Sequence, residues 1–455
     1  MKIATTITGA LVLGMLLCSP VLAQQLSQPL SVKQASYAWD GDEDVQLLDN
    51  DKPAAAKTIT DPVATDVANA CEMPACCPEA CGPCVTCCRP GNCWGFKTGG
   101  WLQVGATANG QNPSDRWNGP MLTNDRVADP EMNQLWFYLE RPIDTSRGFD
   151  IGGRIDLLYG TDWRVADCYG NGLEDRMNGP DNLYGIALPQ MYVEAGKGDL
   201  SFKIGRMAGI LGYESVIPML NFFYSHSYTL CYSEPILITG MMGTYKLSDR
   251  VSLMAGMTNG WHQFENDNGT YNFQGGVRWA SCDGQTSLAY CLDTGRNDLQ
   301  AMRDQYVHSI VLQQKLTRRL QYVFQSDYGF TNGVNGGEDA DWYSINQYLI
   351  YKINCKWSAG LRIEWFRDDD GTRVFGAGNL PDARGWMGAP GYAGNFTELT
   401  MGLNWKPKSN LTVRPEIRWD WYDGPANPNP PYPYPFDDGT SKNQFTAACD
   451  FVLTF

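Results

Sequence analysis

The sequence predicts an all-β chain folded as a transmembrane antiparallel β-barrel of about 16 strands, with short periplasmic turns and long external loops. Three features carry that expectation. From Gly99 to Phe455 the chain breaks into segments of about eight to twelve residues with period-two alternation. The connections between those segments alternate between short and long. The last segment, NQFTAACDFVLTF, keeps an apolar face up to a terminal phenylalanine.

The chain opens MKIATTITGALVLGMLLCSPVLAQQ: a basic residue at Lys2, an apolar run from Ile3 to Leu17, then Ser19-Pro20 and small-residue cleavage geometry ending at Ala23. Residues 1–23 are therefore expected to be a secretory signal peptide. A lipid anchor on Cys18 fits less well, because bulky Leu17 precedes it. Export places the remainder where disulfides persist. No later run of about 18 apolar residues occurs, which excludes a helical membrane span. The 48 glycines suit a helical enzyme poorly. A net charge of -15 argues against nucleic acid as a partner and says nothing against lipid.

Residues 24–96 read as a flexible linker and a cysteine-rich periplasmic segment. Eight of the 15 cysteines fall there: Cys71, Cys76, Cys77, Cys81, Cys84, Cys87, Cys88 and Cys93. An even number in an exported chain favours a disulfide-linked knot. A thiophilic metal is the second reading, since C-x2-C pairs occur without a separated second pair or a histidine. A redox Cys81-Gly82-Pro83-Cys84 is the third, and it lacks the strand-to-helix setting of such motifs. No metal site and no cofactor are expected.

The barrel is expected over 97–455, with strands near 98–108, 133–141, 149–159, 187–196, 199–206, 236–246, 250–260, 271–281, 285–294, 305–315, 319–329, 341–352, 356–367, 396–406, 411–421 and 443–455. In FDIGGRIDLLYG, Phe149, Ile151, Ile155, Leu157 and Tyr159 share one face, and Asp150, Gly152, Arg154 and Asp156 the other. In SAGLRIEWF, Ala359, Leu361, Ile363 and Trp365 oppose Arg362 and Glu364. In LTVRPEIRWDWY, Leu411, Val413, Ile417, Trp419 and Trp421 oppose Arg414, Glu416, Arg418 and Asp420. A charged row backed by an apolar row fits a wall with lipid outside and water inside. Pro415 removes a ladder donor, so a bulge is expected there.

Short turns fall at 196–199, 247–249, 282–284, 316–318 and 407–410. Long loops fall at 109–132, 160–186, 207–235, 295–304, 330–340, 368–395 and 422–442. Both ends of the barrel then lie on the periplasmic side. In the last strand Phe451, Leu453 and Phe455 look like the signal read by the barrel-assembly machinery. Trp101, Trp136, Tyr159, Trp163, Tyr245, Trp261, Trp279, Tyr322, Trp342, Trp357, Trp365 and Trp405 sit near strand ends, where aromatic girdles anchor a barrel in lipid.

The stretches GRMAGILGYESVIPMLNFFYSHSYTLCYSEPILITG, MAGMTNGW, IEWFRDDDGTRV and LTVRPEIRWDWYDG resemble the putative β-barrel porin-2, OmpL-like family of bacterial outer-membrane proteins, over about Gly99 to Phe455. The resemblance implies an integral outer-membrane pore passing small hydrophilic solutes and ions, with membrane lipid around it and a homotrimer left open. The residues themselves point to loop 207–235 as a constriction, because Met219, Leu220, Phe222, Phe223, Tyr224 and Tyr228 are too apolar for a free surface loop. Arg154, Asp156, Glu214, Arg362, Glu364, Arg414, Glu416, Arg418 and Asp420 are the expected pore-lining residues, either making a transverse field or pairing among themselves. Acidic external loops favour cations weakly. Cys168 and Cys231, in the second and third long loops, are a candidate cross-link, and Cys449 should face lipid as a free thiol. Ser225-His226-Ser227 is the nearest approach to a catalytic set, and no enzyme is expected. The alternative function is a plugged barrel acting as a scaffold or adhesin, with PANPNPPYPYP as its exposed handle.

Overall fold

The computed structural model describes residues 95–455 except 169–172, 179–181, 267–268, 297–302, 335–337, 375–390 and 428–431. The expected leader 1–23 and the eight cysteines from Cys71 to Cys93 lie outside the described residues.

The described chain forms a closed antiparallel barrel. Its strands are β1 (Lys97–Asn109), β2 (Glu131–Arg141), β3 (Phe149–Gly160), β4 (Gly185–Ala187), β5 (Met191–Lys197), β6 (Leu200–Ala208), β7 (Leu237–Lys246), β8 (Val251–Thr258), β9 (Asn272–Ala280), β10 (Thr286–Gly295), β11 (Gln305–Lys315), β12 (Leu320–Val334), β13 (Glu338–Lys352), β14 (Trp357–Asp368), β15 (Gly394–Lys408), β16 (Leu411–Asp423) and β17 (Asn443–Thr454). Sequence neighbours pair in order, and β1 pairs with both β2 and β17, which closes the ring. Phe455 completes the seam: its N–H and C=O each bond Gly100 at 2.9 Å. β4 and β5 both pair with β3 and act as one stave. Pro189 lies between them and lacks the N–H a continuous ladder would need. The barrel therefore has the 16 staves expected, built from 17 strands.

Alternation decides which side meets lipid. Phe149, Ile151, Ile155 and Leu157 on β3 are 44–66% exposed, whereas Asp156 and Leu158 are fully buried. The same split holds on β14, with Ile363 at 44% beside Arg362 and Glu364 at 0%, and on β17, with Phe451 at 52% beside Asp450 at 0%. Phe451, Leu453 and Phe455 all face outward, and so does the free thiol of Cys449.

Several expectations need correction. Trp101, Trp136, Trp163, Trp261 and Trp342 are at most 3% exposed and belong to the interior, not to a girdle. All five give their indole N–H to a protein acceptor: Trp101 to Gln134, Trp136 to Asp156, Trp163 to the Leu183 carbonyl, Trp261 to Asp293 and Trp342 to Ser233, at 2.9–3.3 Å. A strand-end position indicates height in the membrane, and residue parity indicates the face. Loop 330–340 is mostly strand, because β12 runs to Val334 and β13 starts at Glu338. Pro415 leaves the register with β17 unbroken; the slip lies nearer the periplasm, between Trp405 and Lys408 of β15.

An outward charge should be costly in this arrangement. Ile363→Arg, midway along β14, is expected to destabilise the refolded barrel by about 2–4 kcal/mol. Urea titration in lipid vesicles measures this, with Asp437→Arg in an external loop changing stability little.

Candidate functional site

The third external loop, residues 209–236, turns into the barrel instead of standing above it. It contains a 3-10 turn (Pro218–Leu220) and the short helix α1 (Tyr228–Tyr232). Ser227 starts that helix, since its hydroxyl accepts from the Leu230 N–H at 3.1 Å. Phe223, Tyr224, Tyr228 and Tyr232 are at most 3% exposed. Wall glycines make room for this aromatic run. A side chain on Gly360 would strike the Phe222 ring, and one on Gly105 would strike Tyr224.

Charged residues of β14 and β16 hold the loop by its backbone. Glu416 accepts from the N–H groups of Tyr224 (2.8 Å) and Ser225 (3.0 Å), and Glu364 from those of Tyr228 and Thr229 (both 2.7 Å). Arg414 donates to the carbonyls of Pro218, Asn221 and Phe223 at 2.8–3.0 Å. Arg362 donates to Ser225 O at 2.8 Å, and Arg418 to His226 O at 2.7 Å. Two wall carboxylates thus take the loop's amides, and three wall guanidinium groups take its carbonyls. A loop inserted into a barrel must satisfy such groups somewhere.

The remaining capacity of these side chains goes into ion pairs. Arg362 bridges Glu214 of the loop (2.8 Å) and Glu398 of β15; Arg418 pairs with Asp420 (2.7 Å), and Arg414 with Asp450. Glu214 also takes the Tyr348 hydroxyl at 2.8 Å and the Ser227 N–H at 2.9 Å. Burial alone would push the Glu214 carboxyl up, but Arg362 and His226 pull it well below the usual carboxylate range. The sign follows from linkage: the stabilisation from this pair is complete above the ordinary carboxylate value and is lost only as the pH falls through the depressed one.

All nine residues singled out as pore-lining belong to the barrel interior, in two groups. Glu214, Arg362, Glu364, Arg414, Glu416, Arg418 and Asp420 converge in the loop-to-wall contact and are at most 9% exposed. Arg154 and Asp156 stand apart on β3, joined at 2.7 Å. The inward charges that keep solvent contact include Glu140, Arg154, Glu194, Lys203 and Arg278, on β2, β3, β5, β6 and β9. Apart from Arg154 these were not singled out from the sequence, although each occupies the inward parity of its strand. Glu398 and Asp450 were missed as well. Each is the one acid of its strand, with no adjoining charged row to mark it.

The cross-link proposed for Cys168 and Cys231 is not formed. Both are buried free thiols, in different apolar clusters. The described part of the proline-rich segment folds back over the mouth: Tyr392 donates to the carbonyls of Tyr432 and Tyr434 at 3.1–3.2 Å, and Phe436 is fully buried.

The family profile described as "Putative beta-barrel porin-2, OmpL-like" matches residues 95–455. The chain belongs to this family. It is an integral channel protein of the bacterial outer membrane. Its barrel is similar in fold to OmpT of Vibrio cholerae (11% identity, covering 79% of this chain and 97% of that one, TM-score 0.51). It is also similar to an anion-selective porin from Comamonas acidovorans (9% identity, 79% and 99% covered, TM-score 0.51). No match was found among curated proteins.

The loop's attachment should depend on single wall charges. Arg362→Met leaves Glu214 and Glu398 buried with one cation fewer, and is expected to cost about 3–5 kcal/mol. Urea unfolding of the refolded barrel measures that cost. Arg362→Lys should recover little of it, because one ammonium cannot reproduce the forked contacts.

Proposed function

We propose that the protein is a passive diffusion channel for small hydrophilic solutes and ions, narrowed by loop 209–236. The observation that carries this reading is the loop's position inside the barrel, fixed to one wall by Arg362, Glu364, Arg414, Glu416 and Arg418. Water and solutes then pass along the opposite wall, beside Glu140, Arg154, Glu194, Lys203 and Arg278. Both signs of charge are present there. Arg154 lies over the Tyr138 ring and Lys203 over the Tyr192 ring, each at 4.5 Å, giving amphipathic ledges along the path.

Nine of the interior charges are thus divided between two tasks: seven fix the constriction, while Arg154 borders the path and the buried Asp156 pairs with it. Selectivity is set by the wetted charges together with the acidic rim at Asp339, Asp341, Asp369 and Asp370, which favours cations weakly. No enzymatic activity is part of this reading. Residues 1–23 direct export and are removed, and 24–96 lie in the periplasm, with the eight clustered cysteines paired as disulfides. The barrel-assembly machinery reads the strand ending Phe451, Leu453 and Phe455. A trimeric form is described for OmpT of Vibrio cholerae, and a homotrimer is the assembly we propose here.

Single-channel recording in a planar bilayer under a KCl gradient tests the reading. Steady conductance steps with a small cation-selective reversal potential are expected. Replacing residues 214–232 by a short Gly-Ser linker should raise the step size several-fold; an unchanged step from a folded barrel would remove the constriction from the proposal.

A further inference from the structure

Next to the arginine-bearing strands, the far end of the same loop meets β11–β13, where the chemistry reverses. Glu234, 4% exposed, accepts through Oε1 from Gln325 Nε2 at 2.7 Å; that nitrogen also lies 3.0 Å from Asp327 Oδ1. One neutral amide therefore spans two carboxylates. Asp327 is 2% exposed and takes the Ser309 hydroxyl at 2.6 Å, yet its Oδ2 has no hydrogen-bond partner.

More unused oxygens surround this pair. Ser344 sits directly across from Asp327 in the β12–β13 register, and Asn346 across from Gln325. The Ser344 hydroxyl and Asn346 Oδ1 are both buried and without a partner. Neither Glu234 nor Asp327 has an ion pair among the described residues. Basic groups on this side are engaged elsewhere: Arg278 with Ile210 O at 3.5 Å, and Arg373 with Tyr232 O at 2.9 Å while it lies over Trp261 and Trp342. The other charged groups facing Glu234 are Glu214 and Glu364, which are also acids. Burial, and then Asp327, push the Glu234 carboxyl well above the usual carboxylate range.

Two buried acids bridged by one neutral amide and flanked by unused oxygens make an all-oxygen donor cluster. We propose that Glu234, Asp327, Ser309, Ser344 and Asn346 bind a hard divalent cation, Ca2+ or Mg2+, which ties the end of loop 209–236 to β12. The donors are all oxygen, the choice of hard cations. Two carboxylates balance the charge, and water completes the coordination. The loop would then be held along Pro218 to His226 by the arginines of β14 and β16, and at its far end by a cation bound against β12. This site depends on where the loop sits and not on what the barrel conducts.

Terbium is a suitable probe, because it occupies hard-oxygen sites and is sensitised by nearby indoles. Trp342 donates to Ser233 Oγ at 3.2 Å, one residue from Glu234. The full-length protein, refolded in detergent and stripped with EDTA, should show saturable Tb3+ emission on tryptophan excitation, displaced by Ca2+ or Mg2+. Glu234→Gln and Asp327→Asn should each weaken Tb3+ binding at least about tenfold, while Asp437→Asn in an external loop changes nothing. Ser344→Ala adds no charge and should weaken binding a few-fold, so the proposal stays testable if Asp327→Asn does not fold. Emission that Ca2+ fails to displace, or that is the same in Glu234→Gln and Ser344→Ala as in the parent, would overturn it. Loss of channel activity with normal Tb3+ binding would count against the diffusion reading alone.

Discussion

The interior depends on a loop backbone whose polar groups must be satisfied away from bulk water. Loop 209–236 brings peptide N–H and C=O groups into the barrel, and leaving them unpaired would cost several kcal/mol. The wall answers with ionised side chains, carboxylates for amides and guanidinium groups for carbonyls. Such charge-assisted bonds are among the strong ones available to a protein. The constraint runs both ways, because the wall charges are themselves buried and would be untenable without the loop.

This mutual dependence explains features that otherwise look unrelated. Glycines occur on inward positions of β1 and β14 because aromatic rings of the loop lie where side chains would be. Arg362 serves two carboxylates and a carbonyl because a guanidinium has donors in several directions. Arg362, Glu364, Arg414, Glu416 and Arg418 on β14 and β16 are consumed by attachment, whereas Glu140, Arg154, Glu194, Lys203 and Arg278 on β2–β9 keep contact with water. The lumen is thus divided into a structural wall and a wetted wall, and a variant's effect should depend on which wall it touches.

The acidic pocket at Glu234 and Asp327 follows the same physics with the opposite sign. Where the wall offers arginine, the loop brings backbone carbonyls and Glu214. At β12 both partners bring acids, and only a neutral amide lies between them. Among the described residues Glu234 and Asp327 share no guanidinium or ammonium partner, and the proposed cation would supply the opposite charge.

Much of the architecture was legible in the sequence, for a simple reason. Lipid outside and water inside impose a two-residue period on every strand, so the charged rows ending in Arg362-Glu364 and Arg414-Asp420 marked strand, face and approximate boundaries together. The aromatic excess of Phe222 to Tyr228 likewise marked a loop that could not stay in solvent. Height and partnership were not legible. Trp101 and Trp342 lie towards strand ends, as girdle residues do, yet face inward and find their acceptors in Gln134 of β2 and Ser233 of the loop. Nothing local distinguishes a wall carboxylate that borders water from one that caps a loop's amides, because that depends on which segment arrives from elsewhere in the chain. Glu398, Asp450 and Gln325 acquire their roles in this way, through contacts made across the barrel by residues distant in sequence. The sequence by itself determined the period, the faces and the membrane; the tertiary structure decided which charges are spent on holding the loop and which remain for the pore.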